Sequence, residues 1–238
     1  MSDAVLIADG LVAGYHGIPA IDGIDLTVAP GEVLTLLGPN GAGKTTTLLA
    51  LAGLLPLMGG RAVVLGAPVD HRRPYRTARR GMRLVPDDRG LFPPLTVQDH
   101  LRLATPKHDP AREKAVLARF PALAELRTRK AGLLSGGEQQ MLAIAAALVS
   151  RPKVLMVDEM SLGLAPMVVQ NILPALRELA RAEGTAVLLV EQHVDLALAV
   201  SDRAIVFNHG RMVLSGSAEH LLADREKLTA AYFDGATT

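Results

Sequence analysis

An eight-residue turn constrains the fold of this chain more than any other part of its sequence. Residues Gly38–Thr45 read Gly-Pro-Asn-Gly-Ala-Gly-Lys-Thr and match the pattern G-x-x-x-x-G-K-[ST]. The apolar run Glu32–Leu37 precedes the turn, as expected of a strand buried on both faces, and Thr45–Leu54 follows it as a predicted helix. In such a strand–turn–helix unit, backbone N–H groups can point at phosphate oxygens beside the helix N-terminus. The turn therefore predicts an α/β fold with a phosphate site.

The side chains of this turn have distinct predicted roles in holding ATP. Lys44 reaches the β- and γ-phosphates and takes part in catalysis, and the Thr45 hydroxyl is a ligand for Mg²⁺. We therefore expect ATP and Mg²⁺ as cofactors. The predicted nucleotide contacts of this segment are Gly38, Pro39, Asn40, Gly41, Ala42, Gly43, Lys44, Thr45 and Thr46.

A second apolar strand leads into two carboxylates. Val154–Val157 is followed directly by Asp158 and Glu159. In proteins with this type of phosphate turn, such an aspartate holds Mg²⁺ and a carboxylate beside it can orient the attacking water. An apolar strand ending in Asp-Glu is common by itself, so it supports a metal-binding and catalytic role only because the phosphate turn lies upstream. We predict Asp158 as a metal ligand and Glu159 as a catalytic residue.

Strand and helix patterns alternate along most of the chain, which indicates a mostly parallel sheet with helices on its faces. Short strands separated by turn residues occupy residues 4–37, whereas prolines and short helical patterns occupy residues 87–150. We predict a single domain with an α/β core at 1–86 and 151–238 and an inserted helical subdomain at 87–150. Between Ala62 and Val85 we predict a strand, an Arg-rich stretch and another strand. The remaining predicted elements are the strands Ala4–Ala8, Leu11–Tyr15, Ile24–Val28, Ala186–Val190 and Ala204–Phe207, and the helices Gln98–Ala104, Ala111–Arg119, Glu138–Ser150, Pro166–Ala182 and Leu196–Ser201.

Composition excludes several classes of function. The chain has 238 residues, a formal net charge of +1, no tryptophan, three tyrosines and four phenylalanines, so neither a basic surface nor a base-stacking platform for nucleic acid is expected. It has no cysteine, which excludes disulfides and thiol chemistry. The N-terminal residues lack the pattern of a signal peptide, and the longest apolar run, Met141–Val149, is shorter than the roughly 20 residues that span a bilayer. Any membrane role is expected to come through a partner.

The segment Leu134–Gln140 distinguishes this chain from other proteins with the same phosphate turn. It reads Leu-Ser-Gly-Gly-Glu-Gln-Gln and resembles the LSGGQ signature of the ABC (ATP-binding cassette) ATPases. The resemblance implies that Ser135, Gly136 and Gly137 contact the γ-phosphate bound to a second subunit. The serine also begins a capping box with Glu138, and both roles are compatible.

Other positions match the same family in order. By this resemblance Tyr15 stacks on adenine, His193 is the switch residue at the γ-phosphate, and Ser161–Leu164 is the D-loop at the dimer interface. Without the resemblance, Tyr15 would be read as a core or surface residue and His193 as a surface residue. Asp87 occupies the place of the Q-loop glutamine and is predicted to act on Mg²⁺ through water.

The resemblance covers nearly the whole chain and is closest to the smaller ATPase of branched-chain amino-acid importers, through Ser161–Pro166, Val190–Gln192 and Ala231-Tyr232. It implies a P-loop NTPase (RecA-like) core with an N-terminal antiparallel β-subdomain. It further implies an ATP-hydrolysing subunit that powers uptake of branched-chain amino acids or related amides. The implied partners are a second ABC ATPase, identical or different, transmembrane permease subunits, and indirectly a substrate-binding protein. The implied location is the cytoplasmic face of the cell membrane, held there by the permeases.

The chain departs from the family pattern at two positions, and two alternative functions are considered. Met160 stands where the family usually has proline, and Asp87 is shorter than glutamine and charged. The alternative functions are the ATPase of an exporter of lipopolysaccharide type, and a soluble ABC ATPase without a transport role. The single cassette and the absence of a heptad run weigh against the second alternative, and the Ser161–Pro166 segment weighs against the first.

Overall fold

The computed structural model describes residues 4–105, 107–161, 164 and 166–233. The strands are β1 (Leu6–Tyr15), β2 (Ile18–Val28), β3 (Val33–Leu37), β4 (Leu57–Val64), β5 (Ala67–Pro68), β6 (Met82–Val85), β7 (Val154–Asp158), β8 (Ala186–Val190), β9 (Arg203–Asn208) and β10 (Arg211–Ser217). The helices are α1 (Lys44–Ala52), α2 (Tyr75–Arg80), α3 (Val97–Leu103), α4 (Pro110–Arg119), α5 (Pro121–Glu125), α6 (Gly136–Val149), α7 (Pro166–Glu183), α8 (Val194–Val200), α9 (Ala218–Ala223) and α10 (Arg225–Phe233), with a short 3-10 helix at Ala131–Leu133.

The N-terminal strands form a four-stranded antiparallel sheet in the order β2-β1-β4-β5. The two strands predicted at Ala4–Ala8 and Leu11–Tyr15 are one strand, because pairing resumes after an irregularity at Gly10, which has φ +55°. The sheet lies beside the phosphate turn, since a Cβ atom on Gly43 would come within 2.5 Å of Ile21 Cγ2.

A six-stranded sheet in the order β10-β9-β3-β8-β7-β6 forms the centre of the molecule. Its strands from β9 to β6 are parallel, and β10 pairs antiparallel at the edge. Every residue of β3, β7 and β8 is buried, which explains their nearly continuous apolar sequences. The carboxyl ends of these parallel strands meet at one edge, the usual place for a ligand site in such sheets.

The helices α3 to α6 pack together through apolar side chains that include Leu101, Leu123 and Leu142, each fully buried. They fall within the range 87–150 that was predicted as a helical subdomain, and the same buried cluster continues onto one face of the central sheet. No helix in the described residues is long and apolar enough to cross a membrane.

The predicted α/β class, the antiparallel N-terminal sheet and the inserted helices are confirmed. Predicted helices begin or end within about two residues of the observed ones, as expected for boundaries read from sequence. Nothing was predicted beyond Phe207, where the structure has β10, α9 and α10.

Candidate functional site

The phosphate turn connects β3 to α1, and two of its glycines are required by geometry. Gly38 has φ +140°, and a Cβ atom there would lie 2.2 Å from the Phe207 carbonyl oxygen. Gly43 has φ +100° and lies immediately before α1. Because no other residue type tolerates both the backbone conformation and the close approach, these glycines hold the turn in its shape.

The N-terminus of α1 can bind an anion. Within the described chain no side chain caps this nine-residue helix, so its first N–H groups and its dipole face the turn. Lys44 is 3% exposed, and its Nζ donates to the carbonyl oxygens of Gly38 (2.8 Å) and Pro39 (2.9 Å). Burial lowers the pKa of Lys44, and the nearby carboxylates of Glu159 and Asp158 oppose that shift. A bound phosphate would add anionic partners to this buried cation.

Asp158 lies at the end of β7 and is 3% exposed. Burial raises its pKa to about 6, a hydrogen bond from the Thr45 hydroxyl opposes the shift, and the charges of Glu159 and Asp87 add to it. Among the described residues its Oδ1 atom has no hydrogen-bond partner. A buried carboxylate oxygen without a partner, beside a hydroxyl, fits a hard divalent cation that takes its other ligands from phosphate and water.

We expect Asp158→Asn to stabilise the chain at neutral pH in the presence of EDTA and without nucleotide. Between pH 3.8 and about 6 the unfolded state ionises while the folded state keeps the proton. The free energy of unfolding therefore falls as pH rises through this window, and the loss is complete above it. The asparagine removes this loss, which is on the order of 2–3 kcal/mol at pH 7.5 for a shift of about two units and close to zero at pH 4.

Urea unfolding at pH 4 and pH 7.5 measures this difference. Asp25→Asn is the control, because Asp25 is exposed and its side chain accepts a hydrogen bond that asparagine can also accept. An Asp158→Asn effect of equal size at both pH values would contradict the assignment of a buried, unsatisfied carboxylate.

Glu159 has a strained backbone. Its φ of +41° is left-handed, which is uncommon for a residue with a side chain, and strained residues cluster at active sites and switch regions. Its N–H donates to the Val190 carbonyl (3.0 Å), and its Oε1 lies 4.0 Å from Lys44 Nζ. The next residue, Met160, is 1% exposed and packs in the core, so the departure from proline fills an apolar site rather than altering the carboxylate.

Glu191 follows β8 and connects the D-loop to the segment that carries His193. Its role in the site was not predicted from the sequence. It is fully buried, and burial raises its pKa while hydrogen bonds from Ser161 oppose the shift. The Ser161 N–H (3.1 Å) and hydroxyl both donate to its carboxylate. His193 is exposed and precedes α8, two residues further along. Glu191 therefore ties the start of the D-loop to the segment that carries the predicted switch residue.

The rest of the predicted D-loop lies partly outside the described residues, namely Leu162 and Gly163. Leu164 is described, and its N–H donates to the Ser161 carbonyl (3.2 Å). The loop's predicted place in a dimer interface stays a prediction.

The signature segment begins α6 and leaves its serine exposed. Ser135 Oγ accepts the Glu138 N–H (3.4 Å), and the Glu138 carboxylate accepts the Ser135 N–H (2.7 Å), so the predicted capping box is present. The Ser135 hydroxyl also donates to the Glu138 carboxylate and helps to lower the pKa of that carboxyl, and a bound phosphate would compete for this donor. Gly136 and Gly137 form the first turn of the helix, where N–H groups are free of intrahelical partners.

Tyr15 ends β1 and is 46% exposed. Its strand pairs with β2, which carries the Ile21 side chain that approaches Gly43 of the phosphate turn. The structure thus places this aromatic ring on the sheet beside the turn, with its surface open to solvent. Its contact with adenine stays a prediction.

Tyr232 is a site residue that was not predicted as one. Its phenol oxygen accepts the Gly38 N–H (3.0 Å), and burial raises its pKa to about 12. Asn208, at the end of β9, donates to the carbonyls of Ala231 and Tyr232 and holds this end of α10 in place. The sequence signal was a lone Ala-Tyr pair near the C-terminus, which by itself indicates no contact with the turn.

A glycine turn at a helix N-terminus, with a buried aspartate from the same parallel sheet, is the arrangement of a P-loop NTPase. The family model described as ABC transporter matches residues 21–161. The chain belongs to the ABC transporter family, in which it is an ATP-binding and ATP-hydrolysing subunit.

Individual relatives resemble the chain over almost its whole length. The high-affinity branched-chain amino acid transport ATP-binding protein BraG of Pseudomonas aeruginosa is 40% identical and the alignment covers 94% of this chain and 97% of that protein. The probable branched-chain amino acid transport ATP-binding protein LivF of Archaeoglobus fulgidus is 35% identical, with 94% and 98% covered. The lipopolysaccharide export ATP-binding protein LptB of Escherichia coli is 33% identical, with 93% and 94% covered.

Solved structures of cassettes share the fold. The structure of cbiO1 from Clostridium perfringens, part of an ABC transporter complex, matches with a TM-score of 0.82 at 29% identity over 96% of this chain and 94% of that one. The ADP conformation of the cassette MJ1267 matches with a TM-score of 0.84 at 25% identity over 98% and 99%.

Proposed function

We propose that this chain powers an importer of branched-chain amino acids or related amides through ATP-driven dimerisation of two cassettes. The similarity to BraG and LivF supports the substrate class, and the observation that carries the two-cassette mechanism is the division of the site. Lys44, Asp158 and Glu159 meet at the carboxyl edge of the central sheet, whereas Ser135 presents an exposed hydroxyl on a different element. The two sets complete each other when a second cassette supplies the signature turn.

Mg²⁺ is proposed as the metal of this site. Asp158 and Thr45 would hold it, as the orphaned carboxylate oxygen and the adjacent hydroxyl suggest. The ion would neutralise phosphate charge, Lys44 would bind the terminal phosphates, and Glu159 would orient the attacking water. Tyr15 is proposed to stack on adenine, and His193 to reach the γ-phosphate.

A cleft between β6 and the helical segment is the proposed docking site of a permease helix. It has a volume of about 240 Å³ and is lined by residues of β6, α3, α6 and the loop after β6. Phe92 and Leu103 line it and are 61% and 66% exposed. Exposed apolar side chains around a cleft are typical of a helix-binding groove. The partner would hold the chain at the cytoplasmic face of the membrane, and a substrate-binding protein would act on the complex indirectly.

Asp87→Ala should abolish stimulation of hydrolysis by a substrate-loaded binding protein while the affinity for ATP stays within about three-fold. Asp87 is exposed in the loop that borders the cleft, and this loop leaves β6 beside β7, the strand that ends at Asp158, so Asp87 lies between the two sites. Asp87→Gln should keep most of the stimulation, because its amide oxygen can reach the same water.

The measurement uses the chain assembled with the permeases encoded beside it in proteoliposomes, with uptake of labelled leucine, acetamide and urea as the substrate test. Asp88→Asn is the matched control, since it removes the neighbouring charge and keeps the oxygen that accepts the Gly90 N–H (3.0 Å). Full stimulation in Asp87→Ala would exclude the coupling role, and outward movement of lipid in place of uptake would favour the exporter.

A further inference from the structure

Arg89 connects the loop after β6 to the start of α6, where the signature turn lies. It lies in the loop after β6 and has φ +69°, a left-handed conformation in a residue with a side chain. Its guanidinium reaches the start of α6, where Nη1 donates to Gln139 Oε1 (2.6 Å). Its Nη2 lies 3.4 Å from the place where a Cβ atom on Gly136 would be.

Gln139 connects Arg89 to the signature turn through its side-chain amide. Its Nε2 donates to the carbonyls of Ala131 (3.0 Å) and Leu134 (3.3 Å), and its backbone N–H donates to the Ser135 carbonyl (2.9 Å). The amide thus uses its oxygen for Arg89 and its nitrogen for the segment that leads into Ser135. The position of Arg89 therefore fixes the position of the signature serine.

The contact is retained at a cost to folding. Among the described residues the buried Nε of Arg89 has no hydrogen-bond partner, and an unsatisfied buried donor is destabilising. The left-handed backbone adds strain. Both costs fall on Arg89, and strain of this kind clusters at active sites and switch regions.

The other end of the same loop reaches the nucleotide site. β6 pairs in parallel with β7, and Val85 is in register with Val157, so the residues after β6 leave the sheet beside the end of β7, where Asp158 lies. The short loop 86–90 therefore begins beside the predicted metal-binding carboxylate and, through Arg89, reaches the start of α6.

We propose that Arg89 is a positioning residue that sets the signature turn according to the nucleotide bound in its own subunit. The inference rests on the proposed function, because it assumes that the turn serves a second cassette.

Hydrogen exchange of the peptide 134–142 tests the coupling directly. Mg²⁺-ATP is added at chain concentrations that light scattering shows to be monomeric, so that no second cassette covers the turn. We expect ATP to slow exchange in the wild type and to leave it unchanged in Arg89→Met, which keeps the length of the side chain and removes the guanidinium. An ATP effect of equal size in both chains, or none in the wild type, overturns the proposal.

Kinetics separate positioning from simple stabilisation. Arg89→Met should lower kcat about ten-fold while KM for ATP stays within about two-fold, and Arg89→Lys, which keeps a charged donor, should recover to within about three-fold of wild type. The double variant Arg89→Met with Gln139→Ala should be no slower than the slower single variant, because both act through one contact. Arg119→Met is the matched control, since Arg119 ends α4 and pairs with the exposed Glu178 of α7, away from the signature turn.

A lowered melting temperature with unchanged kcat per folded molecule would show a structural role only and would overturn the inference. In that case ATP hydrolysis by the wild type would still stand, so the proposed function would be unaffected. If the wild type does not bind ATP, both fail together, and unchanged exchange of the phosphate turn 38–45 in the same run distinguishes this case from a loss of coupling alone.

Discussion

Lys44→Ala is expected to reduce ATP hydrolysis to no more than roughly a few per cent of the wild-type rate. Lys44 is the one charged residue in the turn Gly38–Thr45, so nothing else in the turn can place a positive charge on the transferred phosphate. Its ammonium is already directed inward by the carbonyls of Gly38 and Pro39. A fixed charge in a buried site stabilises the transition state more than the same charge in water.

The loss should come from chemistry and not from unfolding. Burial lowers the pKa of Lys44, which means that the charged ammonium is destabilised in the folded state. Removal of that charge should therefore leave the melting temperature equal or higher. Lys44→Met keeps the aliphatic volume and should be equally inactive. Lys153→Ala, an exposed lysine beside β7, is the control and should remain active. Activity in Lys44→Ala above a few per cent would remove the lysine from the proposed mechanism.

The parts of the site that were predictable from sequence are those made by neighbours in the chain. The glycine turn, the Asp158-Glu159 pair and the capping box at Ser135 each depend on residues within one short segment. Their geometry follows from local rules for turns, strand ends and helix starts. The structure places all three where those rules require them.

The parts that were not predicted depend on contacts between distant segments. Tyr232 and Gly38 are 194 residues apart, Arg89 and Gln139 are 50 apart, and Ser161 and Glu191 are 30 apart. A lone tyrosine, arginine or glutamate has no periodic signal, so only the packed fold shows its partner. The edge strand β10 was missed for a related reason, because its sequence Arg-Met-Val-Leu-Ser-Gly-Ser is half exposed and ends in turn residues.

Glu159→Gln is expected to bind ATP, to lose hydrolysis and to accumulate as a dimer. The amide keeps the shape of the side chain but lacks the basic oxygen that orients water. The left-handed backbone at this position fixes where the side chain leaves the strand end, so the glutamine should occupy the same place. With hydrolysis stopped, ATP remains between the two cassettes, and the closed state is the one that persists.

Gel filtration with Mg²⁺ and ATP distinguishes the composite site from a site complete in one subunit. Glu159→Gln should elute at twice the monomer mass of 25.1 kDa, alone or with a partner ATPase, and should return to monomer when ATP is removed. Adding Ser135→Arg should keep ATP bound to the monomer and prevent the dimer, because the exposed serine serves the opposite subunit. Glu178→Gln, at an exposed carboxylate far along α7, should hydrolyse ATP normally and form no stable dimer. A Glu159→Gln chain that binds ATP yet stays monomeric with itself and with any partner would contradict the two-cassette site, since the signature turn would then have no phosphate to contact.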